Sequence, residues 1–382
     1  MKRCCLLLVL LLILPLLPCP ALALELDVSG KSALLMDVAT GTILYEKNAH
    51  EKLAPASVTK VMTLLLIMEA IDSQKITWED TVTASEAAAS KGGSQVYLKV
   101  GETMSVSDMV KSIAVSSAND CACAMAEHIA GSEAAFVELM NHRAEELGMT
   151  DTHFVNCTGL DDSENASEHR TCSHDIALMS RELLKYHPDI KKFTTIWMDT
   201  IRGGTFGLSN TNKLIRFYPG ATGLKTGFTS GAGYCLSATA QRDGLELIAV
   251  VMGCETSKDR TVACKSMLDY GFANFSLVTP TSEEITAVPV TLGHSSSITA
   301  VPETTPQLLV DKAKKDGITT DILLEESVTA PVNQGQRLGT MTVRSGDQIL
   351  AEVPLVAPES VPRLTWWDIT VKVLRQVAMA KA

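Results

Sequence analysis

The 382-residue chain is poor in aromatic residues (5%) and modest in charge (20%), and it carries no basic stripe. Its formal net charge is −11, and an acidic surface repels phosphate, so nucleic acid is excluded as a partner. None of the eight histidines stands in H-E-x-x-H and no serine in G-x-S-x-G, which removes two common hydrolase patterns. Nor is there a C-x-x-C among the ten cysteines. Cys4, Cys5 and Cys19 lie in the extreme N-terminus, and the seven others are odd in number, so neither a disulfide framework nor a zinc ribbon is indicated. What the chain does have is 46% hydrophobic residues, too many for a disordered polymer. Its length predicts about two or three globular units.

Lys2 and Arg3 precede an apolar run from Leu6 to Leu17, followed by Pro18, Pro20 and the small-residue pattern Ala21-Leu22-Ala23. A basic start, a short apolar stretch and an A-x-A site predict a secretory signal peptide over 1–23; an uncleaved anchor is the alternative. Removing it would take the formal charge from −11 to −13, since it holds two basic residues and no acid. The mature protein is expected outside the cytoplasm.

Ala33–Asp37 and Thr42–Glu46 read as a β-hairpin around Ala39-Thr40-Gly41. From Val58 to Ile71 the chain is apolar on nearly every side, the pattern of a helix in the middle of a domain. Helical patterns continue over about Val106–Ile129, Glu133–Leu147 and Cys172–Tyr186. Strands are predicted at Tyr234–Ala240 and Leu245–Gly253, then a helix over about Asp259–Phe275. Strands at both ends with helices between make one α/β domain over 24–275. Residues 276–361 hold β-rich runs (Ile285–Leu292, Leu338–Arg344, Ile349–Val356) with no candidate active site, and read as an all-β spacer. In the tail, 362–382, Trp366, Trp367, Val371, Val373, Leu374 and Val377 share one side of a helix, with Asp368, Lys372, Arg375 and Gln376 opposite. Too short and too charged to span a bilayer, it suits a helix lying in the membrane interface. A helix docked on its own domain has the same amphipathicity.

Three patterns carry chemistry. In Ala56-Ser57-Val58-Thr59-Lys60, residues three apart share a helix face, so the Ser57 hydroxyl and the Lys60 amine can meet. A serine needs a base before it is a nucleophile, and a desolvated lysine can serve. S-x-x-K occurs once in the chain, yet it equally fits an N-cap serine followed by a solvated lysine. Ser117-Ala118-Asn119, ahead of a helix, offers a hydroxyl to relay protons and a carboxamide to hold an amide; Ser163-Glu164-Asn165 matches the same pattern. Lys225-Thr226-Gly227 precedes an apolar strand and offers a positive charge on an edge strand. Leu224 rather than glycine before the lysine rules out a phosphate loop.

In the order S-x-x-K, S-x-N, K-T-G, these motifs resemble the set of penicillin-binding proteins and serine β-lactamases, and within that group a D-alanyl-D-alanine carboxypeptidase. The resemblance extends over the exported chain, through Asn156-Cys157-Thr158-Gly159-Leu160, the β-rich region and the tail. It implies a sheet flanked by helices with a helical subdomain, no cofactor and no metal. It implies Ser57 as the nucleophile on a peptidoglycan stem peptide ending in D-Ala-D-Ala, Lys60 as its base and Ser117 as the proton relay. Asn119 would hold the acyl amide, and Lys225, Thr226 and Arg260 the terminal carboxylate. The backbone N–H groups of Ser57 and of Phe228, beyond Gly227, would form the oxyanion hole, and β-lactams would trap Ser57. Some relatives carry arginine where this chain has Thr211. Cys121 and Cys123 raise a thiol sensitivity beside the site, buried packing being the commoner role. A class A β-lactamase would need a glutamate with asparagine four residues on, and only Asp161 and Asn165 have that spacing. A transpeptidase or a non-catalytic wall-binding protein are further alternatives.

Overall fold

The structure, a computed structural model, describes residues 26–162, 164–280 and 285–379. The leader reading over 1–23 and Ser163 lie outside the described residues, as do the side chains of Arg375, Gln376 and Val377 in the tail.

The hairpin is β1 (Ser32–Asp37) paired antiparallel with β2 (Ile43–Lys47). Its turn closes on Asp37 Oδ2, which accepts from the Thr40 backbone N–H at 2.8 Å and the Thr40 hydroxyl at 2.6 Å. Far along the chain, β3 (Ala221–Thr229), β4 (Gly233–Arg242) and β5 (Leu245–Cys254) complete a five-stranded sheet in the order β2-β1-β5-β4-β3. β5 is central and pairs antiparallel with β1, setting Leu35 opposite Ala249.

The longer helices of this region are α1 (Lys60–Asp72), α2 (Val106–Ser116), α3 (Asn119–Ala130), α4 (Glu133–Glu146), α5 (Ser173–Tyr186) and α6 (Ser257–Asn274). Alternate strand residues face opposite ways, and both faces of the sheet are covered. Leu34, Met36, Ile248 and Val250 join the core that contains α1 and α5. Leu35, Leu247, Ala249 and Val251 pack with Ala263, Cys264, Met267 and Leu268 of α6. α1 is apolar all round because it is enclosed, with Val61, Met62, Leu64, Leu65, Ile67 and Met68 all buried.

One expectation changes here. The helical pattern over 106–129 is two helices, broken at Ser117, whose φ of +65° is left-handed. The break is tertiary in origin: Asn119 N–H leaves the helical path and donates to Ser94 O at 2.7 Å, while Ala118 N–H closes the end of α2 on Ser112 O.

Beyond α6 the chain is β-structured. Phe275–Val278 pairs with Leu308–Asp311. The other strands of this region are β6 (Ala287–Thr291), β7 (Ser297–Thr299), β8 (Val301–Pro302), β9 (Ile318–Leu324), β10 (Val328–Thr329), β11 (Arg337–Ser345) and β12 (Gln348–Val356). They form sheets β7-β6-β10 and β8-β12-β11-β9 around Val288, Ile298, Leu338, Met341, Val353 and Leu355. The final helix, α7 (Trp366–Met379), starts on a reciprocal cap in which Asp368 Oδ2 accepts from Thr365 N–H and the Thr365 hydroxyl accepts from Asp368 N–H.

Candidate active site

Ser57 lies in a tight 3-10 turn, Ala56–Thr59, immediately before α1. Its side chain caps no helix, and Lys60 is 0% exposed, so the reading of a capping serine with a solvated lysine fails on both residues. Lys60 Nζ donates to Ser57 Oγ at 3.0 Å and to Thr158 O at 2.8 Å. Burial pushes the Lys60 pKa down from 10.5 to about 7, against the opposing pull of Cys157 and Asp120. Of these two, Cys157 offers little counter-charge, since its hydrogen bond with Cys123 and its burial hold the thiol well above the ordinary range. Near neutral pH a substantial share of Lys60 is therefore unprotonated, the form that can take the serine proton.

Thr158 is a site residue that the motifs alone did not supply. Asn156 Oδ1 accepts from the N–H groups of Thr158 and Gly159 at 3.1 and 2.7 Å, folding a side-chain-closed turn that aims the Thr158 carbonyl at Lys60. The Asn-x-Thr-Gly sequence is its only local signal.

Ser117 is buried at the left-handed end of α2, and Asn119 opens α3. Asn119 Nδ2 donates to Gly92 O at 2.7 Å, while its buried Oδ1 has no hydrogen-bond partner among the described residues. An orphaned buried acceptor is costly, and an incoming amide N–H would satisfy it.

Lys225, Thr226 and Gly227 lie on β3, an edge of the sheet. Gly227 is in close contact within the protein: a Cβ there would lie 2.6 Å from Pro55 O and 3.1 Å from Val58 N, so the strand rests against the turn that carries Ser57. Lys225 is buried, with Nζ on Thr226 O at 2.9 Å. Burial first, then the charges of Lys60 and Arg260, drive its pKa well below the lysine range, so the fixed positive charge expected from sequence is weakened until an anion enters. Thr226 Oγ1 donates to Thr211 Oγ1 at 2.7 Å. Phe228 is 51% exposed and packs on Tyr234, with ring centroids 4.3 Å apart. Arg260 Nη1 donates to Gly227 O at 2.8 Å and Cys235 O at 3.3 Å, bracing the strand that carries the lysine.

Cys121 and Cys123 are fully buried, and burial with the nearby Asp120 charge pushes the Cys121 thiol up, which fits packing residues. Elsewhere, donor atoms of His50, Asp151 and Cys172 lie within 4.8 Å of one another. Those atoms are already used: Asp151 binds His50 at 2.9 Å and Lys52 at 3.4 Å, and Cys172 Sγ accepts from Asp175 N–H.

Residues 20–256 match the D-alanyl-D-alanine carboxypeptidase family, peptidase S11. The chain belongs to this family. Residues 275–363 match a second family, the C-terminal domain of penicillin-binding protein 5. Among curated relatives, D-alanyl-D-alanine carboxypeptidase DacF of Bacillus subtilis is 42% identical over 345 residues, 89% of this chain and 87% of its own. DacC of Escherichia coli is 33% identical over 348 residues, 88% and 85% of the two chains. Penicillin-binding protein 5 of Haemophilus influenzae superposes with a TM-score of 0.73 at 30% identity, covering 88% of this chain and 98% of that one. Penicillin-binding protein D2 of Listeria monocytogenes, solved in an ampicillin-bound form, gives 0.59 at 32% identity over 65% and 99%. This S11 carboxypeptidase is thus a serine-type enzyme of the penicillin-binding group, with the penicillin-binding-protein fold and an all-β C-terminal domain.

Proposed function

We propose that Ser57 attacks the carbonyl between the two terminal D-alanines of a peptidoglycan stem pentapeptide, forming an acyl-enzyme and releasing D-alanine. The observation that carries this assignment is the buried Lys60 amine, 3.0 Å from Ser57 Oγ with a pKa near 7. Lys60 takes the serine proton, Ser117 passes a proton to the leaving amine, and Asn119 Oδ1 accepts from the acyl amide N–H. Lys225 and Thr226 receive the terminal carboxylate, with Arg260 holding their strand and adding positive potential. The N–H groups of Ser57 and Phe228 face the developing oxyanion, and losing one such donor typically costs about 2.7–4 kcal/mol. Water then releases the shortened peptide, and β-lactams stop at the acyl stage.

In the same reading, 1–23 is a leader, 24–275 the catalytic domain, 276–361 a spacer and 362–382 a tail that lies on the outer face of the cytoplasmic membrane. No described helix is long and apolar enough to cross a membrane, and α7 exposes Trp366, Trp367, Val371, Val373 and Leu374, which favours a surface-lying tail. One experiment tests the catalytic assignment. A fluorescent penicillin should label the wild type and not Ser57→Ala, and only the wild type should release D-alanine from a D-Ala-D-Ala pentapeptide. Labelling of Ser57→Ala would defeat the assignment.

A further inference from the structure

The turn that carries the nucleophile is held from behind by polar groups that the reaction does not use. Ala56, immediately before Ser57, has φ +49°, a left-handed conformation that costs a residue with a Cβ free energy. Its carbonyl accepts from Thr59 Oγ1 at 2.8 Å, and Thr59 Oγ1 in turn lies 2.8 Å from His169 Nε2. Both side chains are buried. On the other side of the ring, His169 Nδ1 accepts from Val155 N–H at 3.1 Å. A ring nitrogen that accepts carries no proton, so His169 is the neutral Nε2–H tautomer and donates to Thr59. Thr59 has a single hydroxyl proton, and it goes to Ala56. Every proton in the chain His169, Thr59, Ala56 is therefore assigned.

The surroundings keep it so. Phe154 meets the imidazole edge-on, with centroids 5.7 Å apart. Burial, then the charges of His153 and Arg170, push the His169 pKa down to about 4, so the ring is neutral at working pH. In sequence, His169 is 110 residues from Thr59 and belongs to none of the three motifs.

We propose that His169 is a positioning residue for acylation: through Thr59 it fixes the Ala56 carbonyl, and with it the direction from which Ser57 Oγ meets Lys60 Nζ. The inference rests on Ser57 as nucleophile and Lys60 as base, and it adds a group that touches neither the substrate nor the reacting atoms.

Stopped-flow acylation of the full chain by a fluorescent penicillin separates the first-order acylation step from the binding that precedes it. His169→Leu and Thr59→Val should each slow the first-order step roughly ten- to hundredfold, the cost of leaving buried groups unpaired, with prior binding changed less than about twofold. His169→Gln, whose amide N–H reaches the Nε2 position, should recover the rate to within a few-fold. Adding His169→Leu to Thr59→Val should cost nothing more, because the relay is already cut. A folded His169→Leu acylated at the wild-type rate, losses that add, or a loss confined to binding would each overturn the proposal. If His169→Leu does not fold, the volume-conserving Thr59→Val decides alone, and a wild-type first-order step there overturns it. Failure of the wild type to label at Ser57 is a separate result, and it would strike the underlying reading instead.

Discussion

A Cβ on Gly159 would lie 1.8 Å from the carbonyl oxygen of Ala56. It would also sit 2.7 Å from Thr59 Oγ1, and Gly159 has φ +82°. The turn that positions the Lys60 acceptor thus presses on the turn that carries Ser57, and only a glycine fits between them. Gly159→Ala should destabilise by about 3 kcal/mol or more in denaturant titration and abolish penicillin labelling. Gly92→Ala, where nothing lies within 4 Å of the added methyl, should stay within about 0.5 kcal/mol of the wild type. Equal effects at the two positions would show that the close contact is not made in solution.

With Lys60 as the proposed base, acylation takes its pH dependence from this amine. Only the neutral amine can accept the serine proton, and its pKa lies at about 7. The second-order acylation rate should rise with pH through neutrality and level off above it. Lys60→Arg, permanently charged, should lose at least about a hundredfold. A profile flat from about pH 5.5 to 8.5 would remove Lys60 as the base.

The same burial has a cost in stability. In the unfolded chain Lys60 titrates near 10.5 and in the fold near 7, so between those values the unfolded state binds more protons. Its contribution to stability therefore rises with pH from about 7 to 10.5 and is at its least favourable below 7. Lys60→Met should be inactive yet more stable at pH 7 by on the order of a few kcal/mol, with a flatter dependence of stability on pH. A less stable Lys60→Met would mean that the amine's two hydrogen bonds outweigh its desolvation.

Arg260 divides binding from framework. With Nη1 on the Gly227 and Cys235 carbonyls, it supports β3 from the α6 side. Arg260→Lys keeps a charge but loses the planar fork, so KM for a D-Ala-D-Ala peptide should rise about tenfold with kcat changed less. A kcat loss at unchanged KM would make Arg260 a support for the nucleophile rather than for the carboxylate subsite.

These residues differ in how far the sequence reveals them. Ser57 and Lys60 are legible because a helical turn brings positions three apart together, and Lys225 because an apolar strand follows it. The Lys60 bond to Thr158 O joins residues 98 apart, and the bond from Thr59 to His169 spans 110; no periodicity records either. The break between α2 and α3 was hidden for the same reason, since it answers a hydrogen bond from Asn119 to Ser94. β8 and β10, two residues each, are too short to show any alternation and exist only by pairing with β12 and β6.

The tail offers the last test. Trp366 and Trp367 stack with centroids 4.0 Å apart, and they are 65% and 61% exposed, an apolar surface that water leaves unpaid. Val371 and Leu374 continue it along α7. With the proposed leader removed the formal charge would go from −11 to −13, so an anionic bilayer would repel the rest of the protein and the proposed anchoring would rest on the helix. Burying one tryptophan face in the headgroup region is worth about 1.5 kcal/mol, roughly tenfold in partitioning. Trp366→Ser with Trp367→Ser should therefore weaken binding to phosphatidylglycerol-containing vesicles about a hundredfold, and deletion of 362–382 should abolish it. Penicillin acylation should be unchanged in both, because neither alters the turn that carries Ser57. Vesicle binding that survives the deletion would place the membrane contact elsewhere on the protein.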